Sequence, residues 1–343
     1  MRKLNNTLYV TSPDCYLSLE GECVVVSQKG EALGRFPLHN LEGVVTFGYA
    51  GASPALMAAC AERQIALSFL SRSGRFLAGV HGATRGNVLL RKQQYRISDS
   101  PEGRASYARA FLVGKLYNER WVLERTLRDY ALRVDTARLK AASVALASSL
   151  RSLELAQSVE ALRGVEGNAA AQYFAVFDEM ILQQKADFLF DGRVKRPPTD
   201  NVNALLSFAY VLLSHDATAA LETVGLDPYV GFLHVDRPGR ASLAMDLIEE
   251  LRAPVADRFV LGLINTKQVH DRSFIREESG AVRLTDDARK VFLGAWQKRK
   301  QETITHPYLD EKLEWGLVPY AQALLLARAI RGDLDGYPPF MWK

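Results

Sequence analysis

The sequence has little cysteine and lacks the motifs of several common protein classes. Its 343 residues include only three cysteines, at positions 15, 23 and 60, and no C-x-x-C pair. An odd number of widely spaced cysteines indicates neither a disulfide framework nor a thiolate zinc site, and it favours a reducing compartment. A G-x-x-x-x-G-K-[ST] loop is also missing from the sequence, so nothing indicates the use of ATP.

Long hydrophobic runs are missing as well. The most apolar stretch, from Ala204 to Leu213, is interrupted by Ser207 and is shorter than the about 20 residues that span a bilayer. The first residues are basic, but no apolar segment follows them, so the sequence predicts no signal peptide. We therefore expect a cytoplasmic protein with no membrane partner.

Proline is absent from one long part of the chain, between positions 101 and 197. There, residues 105–183 are rich in Ala, Leu, Arg and Glu, which form helices well. Before residue 95, short β-prone runs alternate with turn residues, and Ser53 and Pro54 predict the start of a helix among them. The sequence thus predicts an α+β protein with a β-rich domain over 1–95, a linker over 96–103, a mostly α-helical domain over 104–335 and a poorly ordered tail over 336–343.

The net charge of +4 and the pI near 8.9 are only mildly basic, so a nucleic-acid surface requires local clusters. Arg193, Lys195 and Arg196 precede a predicted helix cap at Asp200. From position 267, which is Lys267, to position 300 there are nine Lys or Arg and five Asp or Glu. These residues are candidates for neutralising DNA phosphates, and the alternative is an ordinary solvated surface.

Three segments of the predicted helical domain contain residues that could bind a metal. Glu166 lies among glycines and alanines, where another backbone or a ligand can approach closely. His234 ends a loop that is punctuated by Gly, Asp-Pro and Gly. In 242–252, apolar residues repeat with helical spacing and place the acids on the opposite face. Each segment alone has an ordinary explanation: a helix crossing, a structural histidine and a solvated face.

Together, the three segments predict a divalent-cation site. A separation of three or four residues stacks Asp246 against Glu249 or Glu250, so that carboxylates can converge on one ion. Oxygen ligands with one imidazole suit Mg²⁺ or Mn²⁺, and the imidazole shifts the preference toward Mn²⁺. Such an ion can lower the pKa of a bound hydroxyl and stabilise charge at a phosphorus under attack.

These stretches resemble the CRISPR-associated protein one family, the integrases of CRISPR spacer acquisition, and within it the members of type I-C systems. The family pattern comprises an E-G-x-x-A helix, a G-L-D-P-x-x-G-x-x-H loop and an S-L-x-x-D-L-x-E helix. This chain has these at 166–170, 225–234 and 242–249, in the same order. The segment 196–208 and the strand-rich residues before 95 are also similar, so the resemblance covers most of the chain.

The resemblance implies that Glu166, His234 and Glu249 are the catalytic metal ligands, with Asp246 as a supporting acid and Glu250 in solvent. Some members have Asp at the position of Glu249, so the choice between Asp246 and Glu249 as the third ligand stays open. The implied activity is a DNA endonuclease and integrase that uses Mn²⁺ or Mg²⁺. It joins the 3′-hydroxyl ends of captured double-stranded DNA to the CRISPR repeat by transesterification.

The resemblance also implies partners. The β-rich domains would pair two subunits into a homodimer, and CRISPR-associated protein two would bridge two such dimers. One alternative is a non-catalytic DNA-binding scaffold, which would bind DNA equally with or without Mn²⁺ and never cut it. Another is a metal hydrolase of small phosphoesters, which would turn over nucleotides in a compact pocket.

Overall fold

The computed structural model describes residues 6–71, 76–80, 88–195 and 197–343. The chain forms two compact units. The β unit comprises Met1–Gly86 with Leu284–Gln301, and the helical unit comprises Asn87–Arg283 with Glu302–Lys343. A β-rich N-terminal part followed by mostly helical residues confirms the predicted α+β class.

Strands and helices are numbered along the described residues. The strands are β1 (Asn6–Val10), β2 (Cys15–Glu20), β3 (Cys23–Gln28), β4 (Glu31–Pro37), β5 (Leu41–Phe47), β6 (Ala66–Leu70), β7 (Phe76–Val80), β8 (Phe274–Arg276), β9 (Val282–Leu284), β10 (Thr303–Thr305) and β11 (Lys312–Glu314). The helices are α1 (Pro54–Glu62), α2 (Val88–Asp99), α3 (Pro101–Tyr130), α4 (Thr136–Leu155), α5 (Val159–Phe174), α6 (Asn201–Val224), α7 (Ser242–Leu251), α8 (Arg258–Asn265), α9 (Asp286–Gln301) and α10 (Val318–Arg331).

The β unit contains two sheets. In the first, ordered β1-β5-β6-β7, β1 and β6 run parallel to β5, and β7 runs antiparallel to β6. The second is an antiparallel sheet ordered β2-β3-β4. Leu17, Val24, Val44 and Leu56 are fully buried in one core that α1 completes. Ser53 caps α1 as predicted, because its Oγ accepts a hydrogen bond from the backbone N–H of Leu56 at 3.2 Å.

The helical unit is organised around α3, which packs against α4, α5 and α7. Helix α6 packs against α7 and α10. By length and composition, α6 could cross a membrane, but 56% of its most apolar 18-residue window is buried inside the protein. Its apolar residues therefore serve the core, which explains the hydrophobic run that the sequence shows there.

The boundary between the units differs from the predicted linker over 96–103. Those residues form the end of α2 and the start of α3, and Ser100 caps α3 by accepting from the N–H of Gly103 at 3.1 Å. The turn residues at 98–103 therefore separate two helices of one unit, because a cap and a proline at the first helical position restart the helix at once. Helix α9 belongs to the β unit although it lies almost 200 residues after it along the chain.

The last residues, 336–343, also differ from the predicted disordered tail. Phe340 is fully buried, and Tyr337 and Trp342 are buried as well. Asn118 of α3 donates to the carbonyl of Phe340 at 2.7 Å and accepts from the N–H of Trp342 at 2.8 Å. Three aromatic side chains and a buried amide thus fix a segment whose prolines had indicated disorder.

Candidate metal centre

The predicted site residues come from three parts of the helical unit. Glu166 lies on α5, Asp246 and Glu249 lie on α7, and His234 lies in the loop between α6 and α7. Helix α3 packs against both α5 and α7. It is therefore the element that can add further side chains between the two acidic helices, and Lys115 does so.

The loop that contains His234 is fixed to neighbouring helices. The side-chain amide of Gln94, on α2, donates to the carbonyl of Asp227 at 2.8 Å and accepts from its N–H at 2.9 Å. Nε of Arg163, on α5, donates to the carbonyl of Leu233 at 3.0 Å. These bonds hold the backbone on both sides of the loop, so the position of His234 is set by the helix packing.

Asp246 orients the imidazole of His234. Its fully buried carboxylate accepts from the backbone N–H groups of Phe232, Leu233 and His234 at 2.6, 2.9 and 2.9 Å. The Oδ1 atom also lies 2.6 Å from Nδ1 of His234. Donation from Nδ1 leaves the lone pair on Nε2, the arrangement found in metal-bound histidines. Asp246 thus lies on the Nδ1 side of the ring, whereas Oε1 of Glu249 lies 3.9 Å from Nε2, so the geometry favours Glu249 as the third ligand.

Gly231 makes this close approach feasible. A Cβ at this position would lie 2.8 Å from Oδ2 of Asp246 and 2.9 Å from Cβ of Ser242. Any other residue would therefore push the loop away from α7. The second glycine of the predicted loop pattern is thus explained by the room that the Asp246 carboxylate requires.

A lysine of α3 lies between the two acids. Nζ of Lys115 forms an ion pair with Oε1 of Glu166 and another, at 2.9 Å, with Oε2 of Glu249. Oε1 of Glu249 pairs with Arg252 at 2.9 Å and lies 3.9 Å from Nε2 of His234. The structure thus links Glu166 to Glu249 through the ammonium group of Lys115, and it places His234 beside Glu249.

The cluster is closed at Glu249 and open toward solvent at its other two members. The side chain of Glu249 is 4% exposed, whereas those of Glu166 and His234 are 28% and 22% exposed. Burial raises the pKa of Glu249, but the charges of Arg252 and Lys115 more than offset this and hold the pKa at about 2. Glu249 is therefore a buried anion at neutral pH, held by two cations.

The donor set fits a hard divalent cation. Two carboxylates and the free Nε2 of an imidazole are ligands that Mn²⁺ and Mg²⁺ accept. Within the part of the chain that the structure describes, no three His, Cys, Asp or Glu side chains are already close enough to hold a metal ion. The ammonium group of Lys115 pairs with both Glu166 and Glu249. A cation would be held by these two acids and His234 if the ammonium group of Lys115 moved out of the space between them.

Glu250, expected in solvent, is fully buried. Its Oε1 accepts from the hydroxyl of Tyr337 at 2.5 Å and from Gln322 at 2.8 Å, and its Oε2 accepts from the N–H of Phe340 at 2.8 Å. Burial raises the pKa of this carboxyl to about 7. The prediction of a solvated Glu250 is wrong, because the C-terminal segment and α10 cover the face of α7 that lies opposite its apolar stripe.

The sequence reasoning missed Lys115, Glu119 and Arg252. A signal for the first two exists, since they lie on the same face of α3 as Phe111 and Leu112, which are fully buried. Charged residues on an apolar helical face are rarely buried unless they are paired, so they indicate a polar cluster in the core. Arg252 follows Glu249 by three residues, the spacing of an ion pair on one helix face.

The predicted DNA-binding residues differ in their surroundings. Arg193 is half-buried, donates to Asn203 and Ser207 at 2.6 and 3.0 Å, and therefore serves the fold. Lys195 and Lys267 are exposed. Arg196 lies outside the described residues.

The basic excess predicted between 267 and 300 is divided between the two units. Its later members lie on α9, which belongs to the β unit, and its earlier members lie in the helical unit. Arg289 and Lys300 of α9 are 3% and 6% exposed. These two cations are therefore not free to meet phosphates, which leaves a smaller exposed set than the sequence count indicated.

The chain combines a β unit with a helical unit that contains a carboxylate–imidazole cluster, the features of a nucleic-acid enzyme with a metal site. The family model described as CRISPR associated protein Cas1 matches residues 8–298. A CRISPR-associated endonuclease Cas1 of Chlorobaculum tepidum is 50% identical over 343 residues, covering all of both chains. Another, of Rhodospirillum rubrum, is 50% identical over 347 residues, again with complete coverage of both. The chain therefore belongs to the Cas1 family of CRISPR-associated proteins.

Solved structures share the fold at lower sequence identity. A casposase bound to an integration product has a TM-score of 0.85 and 21% identity, with 98% of this chain and 94% of that chain covered. A Cas1 protein from Thermotoga maritima has a TM-score of 0.81 and 22% identity, covering 95% and 97%. Both similarities concern the architecture of the whole chain.

Proposed function

We propose that the chain is a divalent-metal-dependent DNA endonuclease and integrase of CRISPR spacer acquisition that uses Mn²⁺ or Mg²⁺. The observation that carries this proposal is the convergence of Glu166, His234 and Glu249 from three separate parts of the helical unit. The name endonuclease in relatives that are 50% identical over their whole length supports the nuclease activity. We assign the chain to a type I-C system on the resemblance of its motifs.

The proposed reaction is attack by the 3′-hydroxyl of a captured DNA fragment on a phosphodiester of the CRISPR repeat. One P–O bond forms, another breaks, and the repeat strand leaves with a free 3′-hydroxyl. Water in place of the attacking hydroxyl gives hydrolysis at the same site. No protein nucleophile is required, since phosphoryl transfer depends mainly on positioning and on charge stabilisation.

Each residue of the cluster has a separate task. Glu166 and Glu249 would hold the cation with Nε2 of His234, and the cation supplies Lewis acidity toward hydroxyl and phosphate oxygens when bound. Asp246 keeps the imidazole in the required tautomer. The buried charge of Arg252 lies beside Glu249, where it can offset negative charge that develops on a phosphate. The exposed sides of Glu166 and His234 leave an entrance for DNA.

The proposed partners are double-stranded DNA, a second copy of the chain and Cas2. A solved Cas6-RT-Cas1–Cas2 complex contains a chain with a TM-score of 0.82 and 22% identity, which is similar over 36% of its own length. That complex supports Cas2 as a partner, and the β unit is the proposed pairing surface of a homodimer. We place this assembly in the cytoplasm, which agrees with three free cysteines.

Basic residues outside the metal cluster would hold the DNA backbone. Lys195, Lys267 and Arg196 are the proposed phosphate contacts, with Arg193 supporting them from within the fold. Their contribution should make DNA affinity fall steeply as salt is raised. Glu166→Ala should therefore abolish joining and leave the binding of DNA in a filter or gel-shift assay nearly unchanged. Loss of binding in that variant would contradict this separation of roles.

A strand-transfer assay tests the proposal. Wild type, His234→Ala and a control, Glu154→Ala, would be compared with Mn²⁺ or Mg²⁺, in the presence and absence of Cas2. Glu154 is exposed on α4, outside the metal cluster and the β unit, so its substitution should leave joining unchanged. We expect His234→Ala to reduce joining by at least about 100-fold, as expected for the loss of a metal ligand. Full joining by His234→Ala would remove the mechanism, and metal-independent binding without cutting would indicate the scaffold.

A further inference from the structure

Lys115 is a buried cation at the centre of the proposed metal site. Its side chain is 6% exposed, and its ammonium group is shared between Glu166 and Glu249. Burial lowers the pKa of a lysine, but the surrounding anions Glu249, Glu119 and Glu166 raise the pKa of Lys115 above its usual value. The ammonium group lies between the two acids that a divalent ion would need.

A further carboxyl group lies within reach of the same side chain. Glu119 follows Lys115 by four residues on α3, the spacing at which side chains of one helix meet. It is 4% exposed, and its buried Oε2 has no hydrogen-bond partner among the residues that the structure describes. A buried carboxyl oxygen without a donor is costly, so this atom is a ready acceptor for an ammonium group.

We propose that Lys115 stands in for the divalent cation: it holds Glu166 and Glu249 together when no ion is bound, and moves to pair with Glu119 when one binds. This inference rests on the proposed function, since it requires a cation among Glu166, His234 and Glu249. It assigns to Lys115 a positioning role, because its ion pairs keep two like charges on α5 and α7 from separating before the metal arrives.

The exchange follows from charge. An ammonium group and a divalent ion repel each other, so they cannot share the space between the two carboxylates. A buried lysine that loses its ion pairs needs another acceptor, and the buried carboxyl group of Glu119 lies one helical turn away. Arg252 is not free to move instead, because it pairs with Glu249 and lies over the ring of Tyr210 at 4.9 Å. The affinity for metal is therefore set by a competition with one side chain.

Isothermal titration calorimetry with Mn²⁺ alone tests this exchange. The proteins are wild type, Lys115→Met, Glu119→Gln, the double variant and a control, Lys140→Met, whose lysine is exposed on α4. We expect Lys115→Met to bind Mn²⁺ at least about fivefold more tightly, because no buried ion pair has to break first. Glu119→Gln should weaken binding by at least about threefold, because the displaced ammonium loses its acceptor. Lys140→Met should match wild type.

The double variant separates this exchange from simple attraction of the metal by Glu119. If Lys115 carries the effect, Glu119→Gln changes nothing in the Lys115→Met background. A persistent effect there, or unchanged or weaker binding by Lys115→Met, overturns the inference. Should Lys115→Met fail to fold by circular dichroism, an unchanged affinity of Glu119→Gln overturns it and a weakened one supports it. Absence of Mn²⁺ binding by every variant, including Lys115→Met, refutes the proposed function itself.

Discussion

Replacing Asp246 by asparagine tests whether this residue organises the centre. The carboxylate accepts four contacts, two at each oxygen: the N–H groups of Phe232 and Leu233 at Oδ2, and N–H and Nδ1 of His234 at Oδ1. An amide has the same shape but only one oxygen. In Asp246→Asn, an NH₂ group would replace one oxygen and would face the two N–H donors that this oxygen now accepts. Because Asp246 is fully buried, no water could replace the lost acceptor.

The expected loss follows from these contacts. A hydrogen bond to a charged group contributes about 1.5–3 kcal/mol, and losing two of them should lower the free energy of unfolding by about 3–6 kcal/mol. The imidazole of His234 would also lose its fixed orientation. Joining activity should then fall by about 10–100-fold, as for other residues that orient a metal-binding histidine.

Urea unfolding followed by circular dichroism at a helix wavelength measures this loss. Glu154→Gln is the matched control, since Glu154 is exposed on α4 of the same unit, and its change should stay within about 0.5 kcal/mol. A loss below about 1 kcal/mol for Asp246→Asn would refute the reasoning, because it would mean that the four contacts do not depend on a carboxylate.

Five further substitutions test the packing around the centre. Gly114→Ala should lower the free energy of unfolding by about 1–3 kcal/mol, since its Cβ would lie 2.8 Å from a side chain of α7, whereas Gly164→Ala, with open space around it, should raise it by about 0.5–1 kcal/mol. Phe340→Ala, at a fully buried ring, should cost about 3–5 kcal/mol, and Met341→Ala, at a side chain 40% exposed, less than about 1. Burial raises the pKa of Asp257 to about 6, so the folded state holds this proton more tightly than the unfolded chain does. The stability that this group contributes is therefore lost as pH rises from about 4 to 6, and Asp257→Asn should remove about 3 kcal/mol of pH dependence over that range. Urea titrations measure the free energy of unfolding of each variant. Equal effects of the two glycine substitutions, equal effects of the substitutions at 340 and 341, or parallel pH profiles of wild type and Asp257→Asn would contradict the packing described.

Local signals in the sequence predicted local structure well. Ser53 and Asp200 cap the helices that they were expected to cap, the latter by accepting from the N–H of Asn203 at 2.8 Å. The β-prone runs before residue 95 correspond to the strands of the β unit. Strand β4 gives little such signal, because most of its residues are exposed and its composition lacks an apolar alternation.

Contacts between distant parts of the chain were beyond such signals. The spacing of α7 correctly divided it into an apolar and an acidic face, but spacing does not say what covers the acidic face. Glu250 is covered by Tyr337, 87 residues later, and Glu249 by Lys115 of α3. The resemblance of three motifs brought Glu166, His234 and Glu249 into one hypothesis, whereas Lys115 belonged to none of them.

The central claim is that Glu166, His234 and Glu249 together coordinate one divalent cation. The most direct test is a crystal structure of the protein with Mn²⁺, in which anomalous scattering locates the metal. The account predicts a single strong peak within about 2.0–2.6 Å of Nε2 of His234 and of an oxygen of each acid, with Lys115 turned toward Glu119. A manganese peak elsewhere, with Lys115 still bridging Glu166 and Glu249 at saturating metal, would contradict it.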